Sequence, residues 1–263
     1  MLNDLKFRIR TFGKYYDLFA LLVQRDIKLK YRRSFLGYIW SILNPLLSML
    51  VQVIVFSHMF SRNMANYPVY LICGNILFSF MRESSTQAMH SIVNNAALLK
   101  KVYVPKYIFT LSKVTSSFVN LLFSLGALLI VMIVTHLRFT LYDLLIVIPI
   151  LELYVFCLGL GLFLAAGNVF FRDIQNIWSV VTLAWMYMTP IFYTLENMSP
   201  ILRYWIPKIN PMYIYITQMR DFVLEGRWTW IALIWRGAFV SALMLAIGLF
   251  VFTKVKDKFI LYI

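Results

Sequence analysis

The sequence predicts an all-α integral membrane protein, and three observations carry that prediction. Of its 263 residues, 61% are apolar and 14% charged, against roughly 45–50% apolar and 25% charged in soluble domains; the mean hydropathy is +0.75. The apolar residues gather in runs of bilayer length, since a helix rising about 1.5 Å per residue needs about 20 of them to cross about 30 Å of hydrocarbon. The basic residues behind the formal net charge of +14 fall mostly on one side of those runs. Cys73 and Cys157 each lie inside an apolar run and give neither a disulfide framework nor a metal pattern. This composition excludes a secreted disulfide scaffold, a disordered tail protein and an ordinary cytosolic enzyme.

The first element is the segment 1–34. Between Lys14 and Arg33, the residues Tyr16, Phe19, Ala20, Val23, Ile27 and Tyr31 recur at helical spacing, while Asp17, Gln24, Arg25, Lys28 and Arg32 collect on another face. That pattern predicts an amphipathic helix lying in the interface, either as an anchor or as a gate for a cytoplasmic partner. Six stretches without Asp, Glu, Lys or Arg follow: Phe35 to Phe60, Asn63 to Met81, Val114 to Leu137, Leu153 to Phe171, Ile174 to Leu195 and Gly237 to Thr253. They predict a six-span domain over 35–253, with spans at 35–60, 67–91, 110–136, 142–170, 174–194 and 228–253, and a cytoplasmic tail at 254–263. The first span follows a long charged segment with no small-residue cleavage site, unlike a signal peptide.

Lys6, Arg8, Arg10, Lys14, Arg25, Lys28, Lys30, Arg32 and Arg33 precede the first span; Lys100, Lys101, Lys106 and Lys113 follow the second; Arg172 follows the fourth; Lys254, Lys256 and Lys258 follow the sixth. The opposite side holds Arg62, Arg138, Arg203, Lys208, Arg220 and Arg227. The positive-inside rule then places both termini in the cytoplasm. The excess charge is accounted for by topology and anionic headgroups, with no need for nucleic acid.

The connection 94–107 exposes an apolar patch beside lysines and Pro105, which suits docking or interfacial anchoring. In the outer connection, Ser199-Pro200 and Asn210-Pro211 read as helix starts with Pro at the first position, and Gly226 as a stop. They predict two short helices within 199–225 that re-enter the outer leaflet, as an exit or as a passive plug. Phe170-Phe171-Arg172-Asp173 reads as a solvated helix junction at the cytoplasmic boundary. Charges inside the membrane are costly and usually functional. Glu152 and Arg236 lie at matching depths in the outer half, which predicts that they pair or line one polar pocket. Arg82 and Glu83 form a second polar site near the inner half of the second span, or reach the interface by snorkelling. Away from span ends, Tyr38, Trp40, Phe56, Trp178, Trp185, Tyr187 and Phe192 offer flat faces on which sugar rings can slide, or pack as ordinary helix-contact rings.

No phosphate-binding G-x-x-x-x-G-K-[ST] loop occurs, no metal spacing among His, Cys, Asp and Glu, and no Gly-x-Ser-x-Gly. The ionisable groups of an ion-coupled carrier are sparse. These absences suit a transport subunit energised by another polypeptide. The run Tyr31-Arg32-Arg33-Ser34-Phe35-Leu36-Gly37-Tyr38-Ile39-Trp40-Ser41-Ile42-Leu43-Asn44-Pro45-Leu46 resembles the first-span motif of permeases in ATP-binding-cassette exporters of O antigen, capsular polysaccharide and teichoic acid. Ser91-Ile92-Val93-Asn94-Asn95, Leu98 through Lys106, Phe171-Arg172-Asp173, Met188-Thr189-Pro190-Ile191-Phe192-Tyr193 and Ile209-Asn210-Pro211-Met212 resemble that family too, in order along nearly the whole chain. Val104 departs from it, since Phe more often precedes this Pro.

The resemblance implies a homodimer of six-span subunits in a bacterial inner membrane, working with two copies of a separate ATPase that holds ATP and magnesium; no cofactor is expected on this chain. Leu98, Leu99, Lys100, Lys101, Val102, Tyr103, Val104, Pro105 and Lys106 would enter a groove on the ATPase. The N-terminal helix would be a gate, the first and fifth spans would line a channel between subunits, and the outer helices would cap it. The cargo would be a polymer, foremost O antigen, attached to undecaprenyl diphosphate. From charge and position, Arg25, Lys28, Arg32 and Arg33 are candidate diphosphate partners. A self-sufficient channel or ion-coupled carrier, and a membrane enzyme acting on a lipid-linked sugar, are the competing classes.

Overall fold

The computed structural model describes residues 13–31, 34–60, 66–101 and 104–262, and among them it is all-helical. Arg32, Arg33, Val102 and Tyr103 lie outside the described residues. In chain order the helices are α1 (Tyr16–Tyr31), α2 (Trp40–Phe60), α3 (Tyr67–His90), α4 (Ala96–Lys101), α5 (Tyr107–Val134), α6 (Val147–Phe170), α7 (Ile174–Met188), α8 (Pro200–Ile209), α9 (Pro211–Val223), α10 (Ile231–Val255) and α11 (Phe259–Tyr262). Short 3-10 turns lead into α2 at Gly37–Ile39 and into α6 at Leu141–Ile146.

Among the described residues, four segments are long and apolar enough to cross a membrane: Gly37–Phe56, Tyr107–Val134, Leu141–Phe170 and Ile231–Lys258. They answer to the expected first, third, fourth and sixth spans. At the expected second span stands α3, which has the length, 24 residues, but interrupts its apolar sequence with Asn75, Ser79, Arg82 and Glu83. The fifth stretch is helical for only 15 residues, because α7 ends at Met188 and Thr189-Pro190 leaves the helix in extended conformation. This is the expected bias of a residue that precedes proline.

The outer connection follows its sequence signals closely. Pro200 and Pro211 open α8 and α9, and the Asn210 side chain accepts from the Met212 amide at 3.0 Å, a local cap. Gly226 ends the segment at φ +57°, a left-handed turn that glycine adopts without strain. The two helices differ in environment: α8 leaves Ile201, Tyr204 and Trp205 exposed, whereas α9 buries Met212, Ile214, Tyr215, Ile216, Met219 and Phe222.

Two apolar clusters hold the bundle. The larger joins α3, α5, α6 and α9, with Leu71, Leu77, Met81, Leu128, Leu153 and Tyr215 fully or nearly fully buried. The smaller gathers Leu22 of α1, Leu99 and Val104 around α4, Ile108 and Phe109 of α5, Leu162 and Val169 of α6, and Phe252 and Phe259 near the C-terminus. Helices α6 and α10 approach most closely, and glycine permits it. A Cβ on Gly159 would overlap the Met244–Leu245 peptide, and one on Gly248 would overlap the Gly159 carbonyl. Small residues at such crossings bring helix backbones together where lipid gives no hydrophobic drive.

Candidate functional site

Polar residues sharing one face of three apolar helices build a groove. On α2 they are Ser41, Asn44, Ser48 and Gln52; on α3, Asn75, Ser79, Arg82 and Glu83; on α5, Ser117, Asn120 and Ser124. Their spacings of three and four place each set along one side of its helix. The groove encloses about 520 Å³ and is also lined by Lys30 of α1, Trp40 and Met186 of α7. Asn75 Nδ2 donates to Gln52 Oε1 across it. At the Lys30 end, Glu83 Oε1 accepts from Lys30 Nζ at 2.7 Å, Gln87 Nε2 at 2.9 Å and Asn120 Nδ2 at 3.0 Å. Arg82, the neighbouring residue, is exposed, and its guanidinium forms no hydrogen bond or ion pair among the described residues. The Ser117 hydroxyl is buried without a partner. Arg82 and Glu83 stand out in the sequence; the structure separates their roles and adds the facing polar stripes, whose signal is polar residues at helical spacing inside apolar stretches.

Of the proposed diphosphate residues, Arg25 and Lys28 line a shallower recess of about 580 Å³ with Leu21, Leu29 and Tyr38. Arg25 is paired with Asp26 at 3.2 Å, and the same carboxylate meets Lys113 of α5 at 2.9 Å, tying α1 to the bundle. Arg32 and Arg33 fall outside the described residues.

The nine expected coupling residues do not form one exposed surface. Leu98, Lys100 and Lys101 face outward, but Leu99 and Val104 are buried in the smaller cluster, and Val102 and Tyr103 are not described. Pro105 is half-buried, and Lys106 donates to the Lys256 carbonyl beneath the Phe259 ring, 5.5 Å from its centroid. Burial holds the Lys106 ammonium below the usual lysine range, with Asp257 opposing that shift.

The aromatic set also divides. Trp178 is buried, its Nε1 donating to Ser85 Oγ at 3.1 Å, and Trp185 donates to Asn210 Oδ1 at 2.8 Å while meeting Trp178 edge to face. Phe192 is buried 5.3 Å from the half-buried Phe56 ring. Trp178 and Phe192 thus pack against the bundle, the second of the two roles expected of these rings, while Phe56 and Trp185 stand half-buried. Trp40 lines the groove, and Tyr38 and Tyr187 are exposed.

Glu152 and Arg236, expected to pair or to line one polar pocket, do not pair. Glu152 Oε2 accepts from Gln218 Nε2 at 2.9 Å, whereas the exposed Arg236 donates to the Pro207 carbonyl at 2.8 Å. The cause is helix phase: Gly237 is the α10 residue against the Glu152 carboxyl, so Arg236, one residue earlier and about 100° around the helix, points away. Because no cation holds Glu152, the Glu152→Gln variant should match or exceed the parent in a thermal-unfolding assay in detergent; a marked loss would restore an ionic role for this carboxyl.

Arg220 was legible only as one more outer basic residue. Its guanidinium donates to the carbonyls of Tyr70 (3.0 Å from Nη2), Pro190 (2.8 Å) and Ile191 (3.2 Å) and lies 3.3 Å over the Tyr70 ring. It thereby fastens α9 to α3 and to the turn that follows α7. Nearby, Arg227 meets Asp221 Oδ1 at 2.9 Å, which raises the Arg227 pKa.

Comparison with known proteins places this architecture. The ABC-2 type transporter family matches the chain over residues 17–224. An O-antigen export system permease protein, RfbA, of Klebsiella pneumoniae is 28% identical over 251 residues, covering 94% of this chain and 95% of that protein. RfbA of Myxococcus xanthus is 32% identical over 220 residues, 83% of this chain and 85% of that one. The capsule polysaccharide export inner-membrane protein CtrC of Neisseria meningitidis is 26% identical over 204 residues, 75% of each.

Proposed function

The chain belongs to the ABC-2 type transporter family, and on that premise we propose that it is the permease subunit of an ATP-driven exporter of polysaccharide, with O antigen as the cargo. The observation that carries this reading is the polar groove walled by α2, α3 and α5. Groups costly to keep in hydrocarbon mark a path for a hydrophilic passenger. The extended likeness to O-antigen permeases favours that polymer; the likeness to CtrC keeps capsular polysaccharide as a second reading, and teichoic acid shares the sequence motifs.

In this reading α2, α3, α5, α6, α7 and α10 are the six spans, both termini are cytoplasmic, and α8–α9 re-enter the outer leaflet of a bacterial inner membrane. At about 1.5 Å per residue the 24 residues of α3 reach about 36 Å, enough to cross. Two copies enclose a channel, and two copies of a separate ATPase, carrying ATP and magnesium, drive it. The cargo is joined to undecaprenyl diphosphate, whose head arrives near Arg25 and Lys28 beneath α1. The chain itself transports rather than catalyses.

Exposed Leu98, Lys100 and Lys101 are the part of the connection free to meet the ATPase. Charge reversal of Lys100 and Lys101 to Glu should lower permease-dependent stimulation of ATP hydrolysis roughly tenfold, as expected when rim charges are inverted against a complementary surface. The check is hydrolysis by the co-purified complex with and without the permease. Unchanged stimulation would move the contact elsewhere, and transport by the permease without an ATPase would refute the exporter reading.

A further inference from the structure

We propose that Arg82 and Ser117 form an oxyanion subsite inside the polar groove, taking a phosphate or carboxylate group borne on a hydroxylated ligand. Two independent observations point there. Arg82 lines the groove, its guanidinium with no acceptor among the described residues, and the adjacent carboxylate does not neutralise it, because Glu83 already holds Lys30, Gln87 and Asn120. The groove therefore carries two cations against one anion. On α5, Ser117 lines the same cavity, and its buried hydroxyl has no hydrogen-bond partner, although buried polar groups ordinarily find partners.

An arginine fork and a hydroxyl donor are the groups that an anionic oxygen recruits. The other lining chemistry fits what such an anion would be attached to. Asn44, Gln52 and Asn75 supply amides that exchange hydrogen bonds with hydroxyl groups, and Trp40 supplies a flat amphipathic face. A purely apolar or cationic ligand would leave this lining unsatisfied. Two ligands share the required chemistry, the diphosphate head of a lipid carrier and an acidic sugar unit of the chain being moved. The subsite deepens the exporter reading and rests on it for the origin of the ligand.

The test is calorimetric titration of the full chain in phosphatidylcholine nanodiscs with three probes: inorganic pyrophosphate, a glucuronate-containing trisaccharide and neutral mannotriose. At least one anionic probe should bind the parent chain. Arg82→Gln should weaken that binding by roughly tenfold or more, the scale of a lost charge-assisted contact; Arg82→Lys should retain part of it, and Ser117→Ala should weaken it less than Arg82→Gln does. Mannotriose binding should be indifferent to Arg82. Arg82-dependent binding of pyrophosphate would identify the carrier head, and of the trisaccharide an acidic sugar. Failure of both anions to bind, or equal affinity in Arg82→Gln at an unchanged melting temperature, would overturn the subsite. Intact anion binding in a chain that fails to stimulate an ATPase would sink the exporter reading alone.

Discussion

Replacing Gly159 by alanine should prise apart the α6–α10 pair and lower the melting temperature more than a methyl added where only a side-chain tip stands in the way. The added Cβ would overlap the Met244–Leu245 backbone of α10. A peptide group cannot swing aside as a side-chain tip can, so α6 and α10 must separate along their length. Overpacking costs about 1–3 kcal/mol and occasionally more, and a backbone obstacle puts this case at the upper end, equivalent to a fall of about 6–12 °C. Gly167→Ala is the matched control, because its Cβ would meet only the Ile174 Cδ1 tip, at 2.7 Å, and a small rotation relieves that contact. Thermal-unfolding curves in detergent should rank the two clearly; equal shifts would show that the α6–α10 crossing yields without cost.

The second large effect should come from Arg220→Met. Methionine fills much of the volume but leaves the carbonyls of Tyr70, Pro190 and Ile191 without the donors they have now, at about 1–3 kcal/mol for each that stays buried. The loss should be local as well as global: hydrogen exchange should rise in 189–193 and at the start of α9, while α5 keeps its protection. Arg220→Lys should recover only part of the stability, since one ammonium cannot reproduce a planar fork reaching three acceptors around an aromatic ring. Uniform protection in Arg220→Met would mean that the outer turn is held by its own hydrogen bonds, such as Tyr67 Oη and Tyr70 Oη to the carbonyls of Phe192 and Tyr193.

These cases mark what the sequence could and could not disclose. Helix starts at Pro200 and Pro211 and the helical course of α1 were legible because the signals are local: a proline, a cap, a periodicity. Four spans could be read because unbroken apolar runs admit few other readings. The extent of α3 was legible as well, since it matches the expected 67–91 to within a residue, but the partners that give its polar stripe meaning stand on α2 and α5, far away in sequence. Glu152 and Arg236 show the limit of depth matching, because depth ignores rotation and a single residue of helical phase turned Arg236 outward. The aromatic set shows another: a ring in the middle of a span has two neighbours to choose from, protein and pathway, and only the fold reveals that Trp178 chose Ser85.

The smaller apolar cluster binds the N-terminal helix, the segment around α4 and the C-terminal end of the chain to one another through Leu22, Leu99, Val104, Phe252 and Phe259. Mechanically these three parts are coupled in parallel, not strung in series. Leu99, beside the exposed Lys100, packs in the same cluster as Leu22 of α1 and Phe259 near the C-terminus, and α1 also carries Lys30, whose ion pair with Glu83 stands at the groove. A displacement of this shared block would strain both ion pairs that fasten α1 to the bundle, Lys30–Glu83 and Asp26–Lys113, and so reach the groove through its Lys30 end.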